Sequence, residues 1–368
     1  MRLIIAGGGT GGHTIPALAV AAELLRRDRS HEVLLVGTGR GLEARLAARH
    51  GLPLETIEVG ALKRVGVLEA GATLLRLPLN FWQAGRILAA FRPQVVYGVG
   101  GYASGPVLFM AAMSNIPVVV HEPNALPGFA NRLIAPYVTR ALVAFPEAQR
   151  FFPAGRVEVV GVPVRAEFFA LPPKPDRAPF TILIFGGSQG AHRINQAVME
   201  SLPLFRHIAE SEAPWFLHQT GERDYDAVCA AFAQHGLRER AEVTPFIDDM
   251  PAAFARADLL VCRAGAATLA EVTAAGKAAL LVPFPFAADD HQLNNARSLE
   301  RAGAARVLLD RELSGPRLFD AVRDMLPRLA ELERNSRALA QPRAAARIVD
   351  TLENVGSGFS RTAGRRLG

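Results

Sequence analysis

The sequence has only two cysteines, Cys229 and Cys262, among its 368 residues. So few thiols exclude the disulfide framework of a small secreted domain, and both are expected to be reduced and packed. No uninterrupted apolar stretch is long enough to span a bilayer, since even Val107–Val120 is broken by polar residues and a proline. The N-terminal apolar run is too short for a secretory leader. These absences predict a cytosolic chain whose contact with a membrane is peripheral.

A strong excess of one charge is also lacking. The chain carries 41 Lys and Arg against 35 Asp and Glu, a formal net charge of +6. This modest excess suits an anionic membrane surface, an anionic substrate or nucleic acid. No zinc-finger spacing, RNA-binding signature or basic heptad is present, so nucleic acid is not expected as a partner. The paired acids Asp248-Asp249 and Asp289-Asp290 are interpreted as acids of loops and helix starts, and neither a metal nor another cofactor is predicted.

A glycine-rich turn near the start of the chain is the first positive signal. The apolar run Leu3–Ala6 predicts a buried strand, Gly7–Thr14 predicts a turn, and the apolar periodicity that follows predicts a helix. Glycine lets a backbone approach a ligand closely, and the N-terminus of a helix favours an anion. The turn therefore suits a phosphate group.

Two nucleotide-binding motifs nearly fit this turn. Gly7, Gly9 and Gly12 have the G-x-G-x-x-G spacing, but the second predicted strand, Glu32–Val36, is not followed by the acid that would hold a ribose. The turn also resembles a P-loop in which His13 replaces the lysine, which makes an ATPase a poor fit. An imidazole at an anion site suits proton transfer near neutral pH. His13 is therefore either a general base or only a part of the turn that caps the helix.

The order of predicted elements indicates an α/β fold. Strand-like runs alternate with helical patterns, which favours parallel, doubly wound sheets. The predicted strands are Leu3–Ala6, Glu32–Val36, Val95–Gly98, Val118–His121, Ala141–Ala144, Val157–Val160, Thr181–Phe185, Phe216–Gln219, Glu242–Phe246, Leu259–Cys262 and Ala279–Pro283.

The chain is expected to form two domains. A proline-rich stretch over residues 171–176 indicates a linker, and we place the hinge near Val162. The opening pattern then repeats, with a strand at Thr181–Phe185 and a second glycine turn at Gly186–Ala191. The sequence predicts similar domains over residues 1–162 and 163–342 that face one cleft. It also predicts a helix over 343–355 that returns to the first domain, and a disordered tail over 356–368.

Polar residues at predicted strand ends are candidates for ligand contacts, because parallel sheets bind ligands at that edge. The segment His121-Glu122-Pro123-Asn124 offers an imidazole, a carboxylate and an amide, either to a sugar or acceptor or to its own backbone. The glycine-rich loop Gly98–Gly105 lets a ligand approach the backbone. In the second half, Ser188 either donates to a phosphate or caps a helix, and the two roles are compatible.

The segment Cys262–Glu271 is the most informative piece of the second half. A buried strand ends, a turn of small residues follows, and a helix is predicted to start near Ala266. Thr268 and Glu271 lie on one helix face, so turn N–H groups can hold a phosphate while the carboxylate accepts from ribose hydroxyls. Alternatively, Glu271 is only an acid favoured by the helix dipole. The loop 283–292 offers acceptors and an amide to a polyhydroxylated ligand.

Residues 61–92 combine basic and apolar character. Five basic residues accompany one acid, Glu69, with leucine, phenylalanine and tryptophan between them. Pro78 is expected to break or kink a helix there. Such a mixture suits a surface that lies on an anionic bilayer. The alternative is that the apolar residues belong to the core and the arginines form a solvated face.

Taken in order, these motifs resemble those of the MurG family, the UDP-N-acetylglucosamine:N-acetylmuramyl-(pentapeptide)-pyrophosphoryl-undecaprenol N-acetylglucosaminyltransferases. The resemblance runs from residue 3 to about residue 350. The motifs that carry it are Gly8–His13, Gly98–Tyr102, His121–Asn124, Gly186–Ala191 and Cys262–Gly265 with Thr268 and Glu271. The resemblance implies a GT-B glycosyltransferase of family 28, with two Rossmann-like domains and the sugar donor mainly in the second.

The resemblance also implies roles for particular residues. Thr10, Gly11 and Gly12 would lie beside the donor sugar and the acceptor pyrophosphate. Asn124 and Arg165 would contact the donor. Ser188 would contact its diphosphate, the Ile247 backbone its uracil, and Gln292 its sugar hydroxyls. Phosphate and ribose would be held by Ala266, Ala267, Thr268, Leu269, Ala270 and Glu271, with Glu271 at the ribose. Ala264 and Ala267 depart from the family pattern, and the loop before Gln292 is one residue longer, which affects the register of His291 and Gln292.

The activity that the resemblance implies is an inverting transfer of N-acetylglucosamine from UDP-N-acetylglucosamine to lipid I. The 4-hydroxyl of N-acetylmuramic acid would attack with His13 as general base, giving lipid II and UDP for peptidoglycan synthesis. The enzyme would sit peripherally on the cytoplasmic face of the bacterial cell membrane, through residues 61–92. Two alternatives stay open: another GT-B transferase with a lipid or soluble acceptor, and a non-catalytic UDP-sugar-binding protein.

Overall fold

The computed structural model describes residues 1–7, 11–38, 42–57, 67–101, 103–175, 178–187, 189–209 and 213–364. Within these ranges it describes the side chains except those of residues 11–13, 42–43, 45–46, 67–75, 288 and 359–364. The chain divides into two compact units. Unit 1 comprises Met1–Val164 with Arg343–Gly368, and unit 2 comprises Arg165–Pro342. The division falls between Val164 and Arg165, close to the hinge placed near Val162.

Unit 1 contains a seven-stranded parallel sheet in the order β3-β2-β1-β4-β5-β6-β7. The strands are β1 Arg2–Gly7, β2 Glu32–Gly37, β3 Leu54–Thr56, β4 Val95–Gly100, β5 Val118–Glu122, β6 Arg140–Val143 and β7 Val157–Val159. The central strands β4 and β5 are buried along their whole length, as expected for a parallel sheet that is covered on both faces.

Helices cover both faces of this sheet. They are α1 Gly11–Arg27, α2 Leu42–Arg49, α3 Val67–Phe91, α4 Ser104–Met113 and α5 Phe129–Ile134, with short 3-10 turns at Ala135–Tyr137 and Pro146–Phe151. One core cluster joins the sheet to α3, α4 and α5, as through Ala84, Leu108 and Ile134. The other core cluster joins the sheet to α1 and α2, as through Leu18 and Ala47.

Unit 2 contains a six-stranded parallel sheet in the order β10-β9-β8-β11-β12-β13. The strands are β8 Thr181–Phe185, β9 Trp215–Gln219, β10 Ala241–Thr244, β11 Leu259–Cys262, β12 Ala278–Leu281 and β13 Ala305–Val307. The helices are α6 His192–Arg206, α7 Tyr225–Gln234, α8 Met250–Arg256, α9 Ala266–Ala275, α10 His291–Arg301, α11 Gly315–Met325 and α12 Leu329–Ala338. Further 3-10 turns lie at Ala166–Phe169, Glu222–Asp224, Arg238–Arg240, Ala288–Asp290, Asp310–Glu312 and Leu326–Arg328.

The strand orders fix where ligands can bind. In each sheet the order reverses between two neighbouring strands, β1 and β4 in unit 1 and β8 and β11 in unit 2. The loops after those strands diverge to opposite faces and leave a crevice at the carboxyl edge, where doubly wound sheets bind their ligands. The two glycine turns and the segment Cys262–Glu271 follow these strands. The predicted fold class, two doubly wound parallel sheets, is confirmed.

Two local features differ from expectation. Pro78 lies inside α3, which runs from Val67 to Phe91, so the predicted break is wrong and only a kink stays a prediction. Because Pro78 is on the exposed side of the helix, the carbonyl that loses its N–H partner can be hydrated. The last helix, α13, spans Ala344–Gly364, so residues 356–364 are helical rather than disordered. The helix still packs against unit 1 beyond the predicted end, since a Cβ at Gly356 would lie 2.7 Å from the Sδ of Met1.

Candidate active site

The two glycine segments of unit 1 meet at the switch point of its sheet. β1 pairs with β4, and the register shifts between Ala6 and Gly7. Gly7 has a φ of +147°, and a Cβ at this position would lie 2.5 Å from the carbonyl oxygen of Gly100. Only glycine fits this conformation and this approach. The end of β1 at Gly7 and the end of β4 at Gly100 therefore lie side by side.

The first turn is described only in part. α1 begins at Gly11, so Gly11, Gly12 and His13 form its first turn, but their side chains lie outside the described residues. Thr10 lies outside them entirely. The roles assigned to these four residues therefore remain predictions.

The segment after β5 is tied to its own surroundings. His121 is buried and its Nε2 lies 2.9 Å from the carbonyl oxygen of Gly161. Both oxygens of the buried Glu122 carboxylate accept hydrogen bonds: Oε1 from the Asn124 N–H and Nδ2 at 2.9 and 3.0 Å, and Oε2 from the Gly128 N–H and Asn131 Nδ2, both at 2.9 Å. The segment was predicted either to contact a sugar or acceptor or to bond to its own backbone. For His121 and Glu122 the structure shows hydrogen bonds within the protein, as in the second alternative. Asn124 is half-buried and is held in place by Glu122.

Burial and hydrogen bonding act on Glu122 in opposite directions. Burial raises the pKa of the Glu122 carboxyl above its ordinary value, while the bonds from Asn131, Asn124 and Gly128 act to lower it. These four bonds all come from N–H donor groups, which fit an ionised carboxylate better than a protonated one. The carboxylate thus organises the loop from Asn124 to Asn131.

The glycine turn of unit 2 packs tightly against the end of β9. Gly190 has a φ of +70°, and a Cβ there would lie 1.8 Å from the carbonyl oxygen of Thr220. The Gly190 N–H donates to the Gly187 carbonyl at 2.9 Å and closes the turn. The N-cap residue of α6 is Ala191, whose side chain makes no capping hydrogen bond. Ser188 lies outside the described residues, so its phosphate contact remains a prediction.

The start of α9 has the features of an anion site. Its N-cap residue is Gly265, which has no side chain to cap the helix. Ala266, Ala267 and Thr268 are half-buried, so their N–H groups lie near the surface at the positive end of the helix dipole. Leu269 is buried in the core, and its N–H already donates to the Gly265 carbonyl. The N–H groups that remain for an anion are therefore those of the first turn.

Glu271 lies one turn further along α9. Burial raises the pKa of its carboxyl to about 7, and the positive charge of Arg165 acts in the opposite direction. Arg165 also stacks on Phe168, with its guanidinium carbon 5.1 Å from the ring centroid. The structure thus brings two of the predicted residues, Arg165 and Glu271, into electrostatic contact within unit 2. A carboxyl that is half-ionised near neutral pH is typical of functional sites.

Gln292 is fixed against the turn that precedes α9. Its Oε1 accepts from the Ala264 N–H at 3.2 Å and from the Phe284 N–H at 3.0 Å. The buried Asn295, one turn later in α10, donates from Nδ2 to the Ala264 carbonyl at 3.4 Å. With Oε1 engaged twice, the Nε2 of Gln292 is the end of the amide that can donate to a ligand. The structure therefore brings Gln292 beside the predicted phosphate and ribose residues.

Two residues that the sequence analysis did not single out complete this side of the site. Arg263 is nearly buried and donates to Asp310 Oδ1 at 2.5 Å and to the Val282 carbonyl at 3.2 Å, so it holds the loop after β12. Gln219, the last residue of β9, bonds to the backbone of Gly187 and of Ile247. Both lie at carboxyl ends of strands, which is the signal that would have identified them.

Unit 1 exposes large apolar side chains on α3, on α4, on α5 and on the 3-10 turn that follows α5. They are Leu79, Trp82, Phe109, Met113, Phe129, Leu133 and Tyr137. The Arg86 guanidinium lies 4.9 Å from the Trp82 ring centroid, and the rings of Phe81 and Phe109 are 5.2 Å apart. Among the helices that the structure describes, none is both long and apolar enough to cross a membrane.

Comparisons with known proteins agree with this architecture. The glycosyltransferase family 28 N-terminal domain matches residues 3–143, and the family's C-terminal domain matches residues 181–352. The UDP-N-acetylglucosamine--N-acetylmuramyl-(pentapeptide) pyrophosphoryl-undecaprenol N-acetylglucosamine transferase of Solibacter usitatus (strain Ellin6076) is 51% identical over 96% of this chain and 95% of its own length. The protein of the same name from Geotalea uraniireducens (strain Rf4) is 46% identical over 96% and 98%. The crystal structure of Acinetobacter baumannii MurG matches with a TM-score of 0.80 and 31% identity, over 96% of this chain and 99% of that one.

Proposed function

The chain belongs to glycosyltransferase family 28, and on that premise we propose how its residues transfer N-acetylglucosamine from UDP-N-acetylglucosamine to lipid I. The products are lipid II and UDP, as the names of its full-length relatives indicate. The observation in this molecule that best supports the assignment is the start of α9. There an uncapped first turn, Glu271 and Gln292 offer groups for a phosphate, a ribose and a sugar.

Unit 2 binds the donor in this account. The first-turn N–H groups of α9 and the glycine turn with Ser188 hold the diphosphate. Glu271 accepts from the ribose hydroxyls, and the backbone of Ile247 contacts the uracil. Gln292 donates from Nε2 to hydroxyls of N-acetylglucosamine. Arg165 adds a positive charge close to Glu271. Arg263 does not serve the diphosphate directly, because Asp310 already pairs with it.

Unit 1 binds the acceptor in this account. Thr10, Gly11 and Gly12 lie at the acceptor pyrophosphate and the donor sugar, and Asn124 is a further donor contact. The support for Asn124 is that Glu122 fixes both its backbone and its side chain, so the amide is held ready for a ligand. A pre-oriented polar group loses little entropy when it binds.

The reaction is a displacement at the anomeric carbon. His13 takes the proton from the 4-hydroxyl of N-acetylmuramic acid as that oxygen attacks from the face opposite UDP, which inverts α to β. A positioned general base contributes about 10²–10⁴ in rate. The bond to UDP breaks with both electrons leaving on the β-phosphate oxygen. Backbone N–H groups at the glycine turn and at α9 stabilise this charge, and losing one such donor typically costs on the order of 10²-fold.

The exposed apolar side chains of α3, α4 and α5 bind the membrane in this account. Leu79 and Trp82 are 52% and 57% exposed and lie three residues apart, so they form part of one apolar patch on the helix surface. Arg86 beside Trp82 supplies a positive charge for anionic headgroups. Since lipid I is anchored in the bilayer, a peripheral enzyme on the cytoplasmic face reaches its acceptor without crossing the membrane.

The test is UDP release by the purified protein with UDP-N-acetylglucosamine and a short-chain lipid I analogue, with and without EDTA. The account predicts release that requires the acceptor and resists EDTA. Donor binding without acceptor-dependent release would contradict it and would favour a UDP-sugar-binding protein.

A further inference from the structure

Gln219 is a fully buried amide between two loops of unit 2 that the proposed function assigns to the donor. It ends β9, which lies between β8 and β10 in the sheet. The side chain is 1% exposed. Its Nε2 donates to the Gly187 carbonyl at 2.7 Å, and its Oε1 accepts from the Ile247 N–H at 2.9 Å. Gly187 belongs to the turn after β8, and Ile247 follows β10.

The neighbours of this amide determine its orientation. The Ile247 N–H can only donate and the Gly187 carbonyl can only accept, so Oε1 must face Ile247 and Nε2 must face Gly187. A glutamine whose two ends are engaged in this way acts as a spacer of fixed length. Neither bond belongs to a strand ladder, so the sheet itself does not require them.

We propose that Gln219 is a positioning residue that holds the phosphate turn and the uracil-binding backbone at the spacing of a nucleoside diphosphate. The inference rests on the proposed function, because that function makes Gly187 and Ile247 neighbours of the ligand. Gln219 does not touch the donor. It sets the distance between two groups of contacts, so that a ligand with both a base and a diphosphate satisfies them together.

Substitutions of Gln219 separate its two bonds. In Gln219→Glu, an acceptor still faces the Ile247 N–H, but a carboxylate oxygen replaces the donor that faces the Gly187 carbonyl. The turn at Gly187 then loses the bond that holds it in place, which is expected to weaken UDP binding by about 10-fold. Uridine, which lacks the diphosphate, should bind within about 3-fold of wild type, since the contact on the base side remains. Gln219→Met removes both bonds at similar length, so uridine binding should weaken too, by about 5-fold.

The experiment measures the dissociation constants of uridine and UDP by calorimetry, together with the thermal unfolding midpoint. The expected result is that the ratio of the uridine constant to the UDP constant falls about 3- to 10-fold in Gln219→Glu. A merely structural role would lower the unfolding midpoint and leave this ratio unchanged, which would overturn the inference. If Gln219→Glu does not fold, Gln219→Met carries the test: an unchanged uridine constant there would also overturn it.

Gln196→Leu is the matched control. This glutamine of α6 is half-buried, and both of its bonds stay within the helix: its Nε2 donates to Glu200 Oε1 at 3.0 Å, and its Oε1 accepts from the Arg193 guanidinium at 3.1 Å. Its loss should leave both constants unchanged. If wild-type protein binds neither uridine nor UDP, the proposed function fails and the inference fails with it. If wild type binds both and the ratio does not respond to Gln219, only the inference fails.

Discussion

Donor binding should depend on pH through Glu271. Burial raises the pKa of this carboxyl to about 7, so it changes charge in a range where an ordinary glutamate is fully ionised. Ribose hydroxyls donate to a carboxylate more strongly than to a neutral carboxyl. Affinity for the donor should therefore be high above the pKa and should fall as the pH drops through it.

The magnitude follows from the ionised fraction. A group with a pKa of about 7 is roughly 90% ionised at pH 8 and roughly 10% ionised at pH 6. If only the ionised form binds the ribose, the dissociation constant rises about 10-fold between pH 8 and pH 6. Glu271→Gln has no charge to lose, so its constant should be flat over this range and at least about 10-fold above wild type at pH 8.

The assay is calorimetric titration with uridine between pH 6 and pH 8. Uridine is preferred to UDP because the terminal phosphate of UDP itself titrates near pH 6. Arg165→Ala should move the midpoint to higher pH, since the positive charge of Arg165 acts to lower the pKa of Glu271. Glu239→Gln, at an exposed acid of the same unit, is the control and should behave as wild type. A wild-type constant that does not change with pH, or an equal slope in Glu271→Gln, would refute the reasoning.

Three further outcomes are expected. His13→Ala should lower the transfer rate by about 10²–10⁴ while the UDP-N-acetylglucosamine constant stays near wild type; retained turnover in a steady-state assay would remove His13 as the base. Trp82→Ala should weaken binding to anionic vesicles by about 10-fold in a sedimentation assay, whereas Trp215→Ala, at an exposed tryptophan of unit 2, should not; equal loss in both would argue against the face on α3. Glu122→Gln should lower the free energy of unfolding by about 1–3 kcal/mol, measured in urea, because it places an amide nitrogen against N–H donors; unchanged stability would contradict the network around Asn124.

Most of the sheet could be predicted because its strands are buried apolar runs between glycine or proline turns. The strands that were missed, Leu54–Thr56 and Ala305–Val307, have three residues each and form sheet edges. Each of the two is partly exposed and has a charged residue at its centre, Glu55 or Arg306, so its sequence lacks the apolar run that identifies a buried strand. A break at Pro78 was wrongly predicted. A helix tolerates a proline on its solvent-exposed side, and which side is exposed depends on how the helix packs against the rest of unit 1.

In the candidate site, too, the sequence predicts some residues, while others are identified only from the structure. Residues that act through local motifs, such as the uncapped turn before Ala266, follow from spacing and residue type. Gln219 and Gln292 act through bonds to loops that are distant in sequence. The sequence does not show that Gln219 is buried with both ends of its amide bonded, whereas Gln292 has an Nε2 that can donate to a ligand. That difference arises from the positions of β9 and α10 in unit 2.

The most direct test of the transfer itself is the identity of the product formed from UDP-N-acetylglucosamine and a lipid I analogue. Proton NMR of the purified product distinguishes the linkage and the anomeric configuration. The account predicts a disaccharide in which N-acetylglucosamine is β-linked to the 4-position of N-acetylmuramic acid, formed together with UDP. An α linkage, free N-acetylglucosamine, or an epimerised nucleotide sugar with unreacted acceptor would contradict it.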